Sequence, residues 1–121
     1  MQKRRGEIES KLTEAMVKFE REFMGRGPTE ARTHIIEDMV LVRLKGVLSR
    51  AEHNLISEDP TGRGRDLIKQ SRTEMLERAK PMLRELVEEA IGLKVVSMHT
   101  DLSVHTGERI ILFTLHQRWA G

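Results

Sequence analysis

The sequence predicts an α+β two-layer sandwich: a four-stranded, mainly antiparallel sheet with helices on one face, in the order α-β-β-α-α-β-β. Three observations predict it. Two long segments carry apolar residues at three- and four-residue steps, the pattern of amphipathic helices. Each is closed by a glycine, Gly25 or Gly92, and followed by a Val/Ile/Leu-rich stretch that a polar turn divides in two. A chain of 121 residues, 38% hydrophobic and 33% charged, has room for one such domain spanning 1–121, with its core in 7–116, and not for two.

The first helix is written by Ile8, Leu12, Ala15, Met16, Phe19 and Phe23 on one face. Glu7, Glu9, Lys11, Glu14, Lys18 and Glu20 are assigned to the other. Gly25-Arg26-Gly27-Pro28 breaks it. A hairpin over roughly 32–37 and 39–47 follows, interrupted by Glu37-Asp38. Its second arm alternates, with Val40, Val42 and Leu44 on one face and Leu41, Arg43 and Lys45 on the other. Ser49-Arg50-Ala51-Glu52 is a capping box that opens a short helix ending near Ser57. The segment 58–64 reads as a mobile loop, rich in Gly, Asp and Pro. A helix over about 65–91 comes next, with a kink or restart expected at Pro81. Val96, Met98, Leu102 and Val104 then pair with Ile111, Phe113 and Leu115 through a Thr106-Gly107 turn, and 117–121 is a short tail. The two halves share a plan of helix, glycine and hairpin, without a residue-level repeat.

Both hairpins also place apolar residues, Leu41, Val95, Ile110 and Leu112, on the strand face away from the helices. A single covered face would leave these wet, so a second copy of the chain is expected to cover them, making a homodimer or higher assembly.

Composition excludes several functions. Without cysteine there is no disulfide framework, thiolate nucleophile or Cys-ligated metal. No apolar run approaches the ~20 residues of a membrane span. The start, Met1-Gln2-Lys3-Arg4-Arg5, has no apolar stretch after it and is not a secretory signal, so a cytoplasmic location is expected. The balance of 21 basic against 19 acidic residues is too even to imply nucleic acid.

Candidate chemistry is sparse. His99 and Asp101 share a strand face, with His105 nearby, but three ligands on strand ends define no tetrahedral site, and no metal or cofactor is expected. Polar decoration of an exposed face accounts for them. Gly25-Arg26-Gly27-Pro28 and Gly62-Arg63-Gly64-Arg65 combine free amides with guanidinium groups, yet neither follows a strand as a phosphate loop does. Arg43 and Lys45, with Arg32 and His116, form a basic strip that lacks stacking aromatics. No nucleophile stands beside a base, so no enzyme is expected.

Four runs carry a family resemblance: Phe19 to Pro28, Asp38 to Leu48, Gly92 to Asp101, and Thr106 to Leu115. In that order, and over about Glu7 to His116, the chain resembles a family of small bacterial proteins long catalogued as a domain of unknown function. That family is labelled the C component of the Mps system, a sodium-translocating, membrane-potential-generating system. The resemblance implies a soluble accessory or regulatory protein of sodium or bicarbonate handling, partnered by membrane transport subunits. It carries over no catalytic residue. Its recurring residues are matched by Gly25, Arg26, Gly27, Pro28, Arg43, Lys45, His99, Asp101, Gly107 and Arg109. Should a small anion such as bicarbonate or phosphate bind, Arg26, Arg43, Lys45 and His99 are the candidates, through charge-assisted hydrogen bonds. The alternative is a small nucleic-acid-binding or gene-regulatory dimer using Arg43, Lys45 and Lys3-Arg4-Arg5.

Overall fold

The computed structural model describes residues 2–120, with side chains from Arg4 onward; Met1, Gly121 and the Lys3 side chain of the N-terminal basic cluster lie outside the described residues. Seven elements follow in the expected order: α1 (Gln2–Phe23), β1 (Glu30–Ile36), β2 (Met39–Lys45), α2 (Arg50–Ser57), α3 (Arg63–Ile91), β3 (Val95–Ser103) and β4 (Glu108–Leu115). The strands form one antiparallel sheet in the order β1-β2-β4-β3. The expected α+β architecture is therefore present, and its two helix–hairpin units meet where β2 pairs with β4.

In α1, Leu12, Met16 and Phe19 are buried as their spacing requires, and Phe19 stacks on the half-exposed Phe23. The helix ends at Gly25, whose φ of 91° is open to glycine and strained for other residues. The amides of Met24 and Arg26 both fold back onto the Glu20 carbonyl, at 3.1 and 3.2 Å. Ile36 pairs with Met39, so Glu37-Asp38 is a two-residue hairpin turn, and Glu37 takes the left-handed φ of 55° that glycine usually supplies. The strands run over 30–36 and 39–45, a little earlier than the sequence suggested.

The capping box at Ser49 forms as read. The Glu52 amide donates to Ser49 Oγ at 3.2 Å, and the Ser49 amide donates to Glu52 Oε1 at 2.9 Å. In the connection to α3, the Asp59 carboxylate collects the Thr61 amide, the Thr61 hydroxyl and the Gly64 amide. It thereby satisfies a donor of the α3 N-terminus, since Gly62 has no side chain to cap with. The helix runs unbroken through Pro81, so the expected restart does not occur. Pro81 lacks only its own amide hydrogen bond, and packing on either side holds the helix together.

One correction concerns the start of β3. Val95 pairs with Leu115 and Ser97 with Thr114, which leaves Val96 as the extra residue of a bulge. Val95 is consequently core-facing at 6% exposure and Val96 is turned out at 61%, the reverse of the alternation read from sequence. The core lies between helices and sheet, built on Val40, Val42, Leu44, Ile111, Phe113 and Leu115 from the two central strands. Each edge strand has one amide held by a carboxylate of its own long helix: Ile35 by Glu9 at 2.7 Å, Val95 by Glu88 at 2.8 Å. These contacts blunt both sheet edges.

Candidate functional site

Alternation fixes which residues face away from the core. Cross-strand register groups them into rows: Arg32, Arg43, Ile110 and Asp101 in one, and His34, Leu41, Leu112 and His99 in the next. None of these outer-face residues is buried. Leu41, Ile110 and Leu112 thus form a partly exposed apolar centre on the outer face, as expected; Val95, for the reason given above, does not join them.

The four anion candidates do not converge. Arg43 lies on this outer face with Nε 2.5 Å from Glu108 Oε2 of the neighbouring strand. Lys45 follows on the same face, its Nζ 3.9 Å from Glu30 Oε2. Arg26 lies off the sheet and donates from Nε to the Gly46 carbonyl at 3.3 Å, close to the end of β2. His99 is on β3, two strands from Arg43 and hence about 10 Å away across the sheet. It shares a hydrogen bond with Ser97, which in turn bonds Thr114. Asp101 accepts from Lys69 at 3.0 Å and from the Leu102 amide at 2.9 Å. Those bonds, the lysine first, hold its carboxyl below the usual range. His105 sits in the turn between β3 and β4, and among the described residues no three His, Asp or Glu side chains gather as a metal site. His116 leaves the basic strip altogether, its Nδ1 accepting the Lys94 amide at 3.1 Å.

The most unusual chemistry is inside. Glu20, Arg72 and Arg109 are 0%, 5% and 2% exposed, in a layer otherwise built, but for Thr33, of apolar side chains. Arg72, from α3, grips Glu52 of α2 with two hydrogen bonds, Nε to Oε2 at 3.0 Å and Nη2 to Oε1 at 2.6 Å. The same Nη2 also donates to the Val47 carbonyl at 3.1 Å. Burial alone would raise the Glu52 carboxyl, but the Arg72 and Ser49 bonds outweigh it and hold the group low. Arg109, on the core face of β4, donates from Nη1 to Thr100 Oγ1 at 2.8 Å, and that hydroxyl donates onward to the Ile110 carbonyl. Among the described residues, its Nε and Nη2 have no acceptor and neither oxygen of Glu20 has a donor. Glu20 and Arg109 therefore interact through space without touching. Burial pushes the Glu20 carboxyl up, and the attraction of Arg109 and then Arg72 only partly offsets it. Burial likewise lowers Arg109, against the opposing pull of Glu20. Glu20, Arg72 and Arg109 are closed off from solvent and Glu52 lies at the margin, so the cluster is an electrostatic joint between α1, α2, α3 and β4.

Sequence reasoning placed Glu20 on the wet face of α1 and passed over Arg72. A signal was present. Glu20 continues the series Leu12, Met16; Arg72 lies between Ile68 and Leu76; Arg109 precedes Ile111, Phe113 and Leu115 at two-residue steps. All three are charged residues in slots whose period belongs to the core.

Comparison with known proteins is consistent over almost the whole length. An uncharacterized protein of Bacillus subtilis (strain 168), YbcI, is 38% identical over 115 residues, covering 95% of this chain and 90% of that protein. A second uncharacterized protein of the same strain, YrhF, is 26% identical over 102 residues, 84% of this chain and 81% of its own. No solved structure matches. Residues 4–117 match the family described as "Na+-translocating membrane potential-generating system (MpsC)", and the chain belongs to that family.

Proposed function

We propose that the protein is a non-enzymatic accessory or regulatory component of a sodium-linked membrane-potential system, cytoplasmic and homo-oligomeric, and that it works through the outer face of its sheet. The observation that carries this reading is that face: a central apolar strip, Leu41, Ile110 and Leu112, flanked by charged residues and covered by no helix among the described residues. The family description supplies the system. No helix among the described residues is long and apolar enough to cross a membrane, so any ion path belongs to other subunits. The burial of Glu20, Arg72 and Arg109 supports a scaffold role over catalysis for these charges.

A dedicated small-anion site finds less support. Arg26, Arg43 and Lys45 each already have an oxygen partner, and His99 stands apart. Nucleic-acid binding is disfavoured for a related reason: Glu30 and Glu108 neutralise much of the basic strip that would meet phosphates.

The test is deletion in the native host with membrane potential read by a potential-sensitive dye. The reading expects a sodium-dependent fall in potential that the wild-type chain restores, and recovery of a membrane protein with a tagged copy after cross-linking. An unchanged potential together with no membrane partner overturns it.

A further inference from the structure

The outer sheet face is divided by charge across its width. On the β1–β2 half, Arg32, Arg43 and Lys45 outnumber Glu30; on the β3–β4 half, the strands carry Asp101 and Glu108 and no outward Lys or Arg. Glu108 pairs across the boundary with Arg43, and Asp101 with Lys69 of α3. The apolar centre lies along the boundary. From this division we infer that the face seats the same face of a second copy, about a two-fold axis parallel to the strands and passing between β2 and β4. The inference rests on the homo-oligomeric part of the function proposed above and adds the geometry of the pairing.

Charge selects the axis. A two-fold axis parallel to the strands reverses strand order between facing sheets, laying β1 over the partner's β3 and β2 over the partner's β4. Each basic half then meets an acidic half, and the apolar centres meet each other. An axis across the strands would instead lay β1 over β1 and basic over basic. Within the row Arg32, Arg43, Ile110, Asp101, reversal places Arg32 opposite the partner's Asp101, and the two-fold axis makes this contact twice. Both residues keep a polar group for it beside the contacts within their own chain. Among the described residues, Arg32 is tied only by Nε at 3.8 Å from Glu30, and its side chain is 70% exposed. The bonds Asp101 receives from Lys69 and Leu102 both fall on Oδ1, leaving Oδ2 open.

The size is adequate. Four strands at about 4.8 Å spacing and about seven residues of length give roughly 450 Å² per copy in projection. Two copies with side-chain relief bury about 1,000 Å², the lower bound for a specific interface. The product is a four-layer assembly, helices outside and two sheets about 10 Å apart within.

Complementation of two variants tests this. Sedimentation of the purified full chain is expected to show a dimer. Arg32→Glu and Asp101→Lys each turn both contacts repulsive and are expected to raise the dissociation constant at least ~tenfold, with thermal melts showing both variants folded. Mixed together, the two variants are expected to regain wild-type affinity, because the mixed dimer has one Glu–Lys and one Arg–Asp contact. A wild-type chain that stays monomeric at ~100 µM, a concentration that would populate even a micromolar dimer, overturns both the oligomeric reading and the inference. A wild-type dimer whose two variants do not rescue each other overturns the axis and leaves the oligomeric reading standing.

Discussion

The buried Glu20–Arg109 pair gives a test in which the two partners behave differently when orphaned. Glu20→Leu leaves the Arg109 guanidinium buried with Nε and Nη2 still lacking acceptors, and with Arg72 as a like-charged neighbour. A guanidinium cannot shed its proton, so the cost is that of an uncompensated buried charge, about 3–5 kcal/mol at pH 7, and no protonation of the variant relieves it on acidification. Arg109→Met orphans a carboxyl, which escapes by binding a proton. Keeping a group with an ordinary value of 4.5 protonated at pH 7 costs at most roughly 3 kcal/mol, and that ceiling falls by about 1.4 kcal/mol per pH unit on acidification. Replacing both residues removes two desolvated charges, and the double variant is expected within about 1 kcal/mol of the wild type. The coupling this implies, up to about 7 kcal/mol, exceeds the direct attraction of about 4 kcal/mol that contact at 4 Å would give at an effective dielectric constant of 20, because each single variant also carries the desolvation penalty of the partner left behind. Urea denaturation of the four proteins at pH 7 and pH 5.5 reads all of this. Costs that simply add in the double variant would show that the two charges do not feel each other. A cost of Arg109→Met that ignores pH would refute the escape by protonation.

Three further outcomes follow from single residues. Because the folded state raises the Glu20 carboxyl, its contribution to stability is fully present below 4.5 and is lost as pH rises through the folded value. Glu20→Gln removes that slope, so its stability relative to wild type is expected to be highest at neutral pH and to decline on acidification; a constant difference in a pH series of urea melts would contradict the assignment. Gly46 has a φ of 66°, and a Cβ there would run into the Thr29 side chain. Gly46→Ala is therefore expected to cost at least about 2 kcal/mol, the left-handed penalty of about 1 kcal/mol plus the collision, read by denaturant midpoint. Ser49→Ala removes the side-chain half of the capping box and is expected to cost about 1 kcal/mol in the same assay, whereas an exposed serine elsewhere would cost almost nothing.

The elements that could be read from sequence are those whose cause is local. The Ser49–Glu52 box needs four residues and nothing else, and it forms as read. The glycines at 25 and 92 end their helices because the left-handed conformation there is a property of single residues. Glu37-Asp38 was legible as a turn from its polarity, although Glu37 takes a φ that its residue type disfavours, because the pairing of Ile36 with Met39 imposes it. What was not legible is set at a distance. The bulge at Val96 depends on where Val95 and Ser97 find partners on β4, and one extra residue exchanges the faces of Val95 and Val96. The scatter of Arg26, Arg43, Lys45 and His99 likewise depends on strand order: β4 inserts between β2 and β3, and no spacing along the chain announces that.

The buried charges stand between these cases. A lean chain with four aromatics builds its core from aliphatic stripes, and three positions in those stripes hold Glu20, Arg72 and Arg109 instead. Each stripe read alone invites the assignment of the charge to the wet side, since an isolated buried charge is prohibitively costly. Only together do they make sense. Glu20 comes from the first helix–hairpin unit and Arg109 from the second, and Arg72 binds the Glu52 of the connecting helix and the Val47 carbonyl that follows the first hairpin. Aliphatic side chains at these three sites would pack as well in many relative positions of the two units. The hydrogen bonds of Arg72 have directions that aliphatic contacts lack, and they tie α3 to α2 and to the Val47 carbonyl beneath a sheet in which β2 pairs with β4. That pairing lays Leu41, Ile110 and Leu112 side by side on the outer face, with the buried charges on the opposite side of the same sheet.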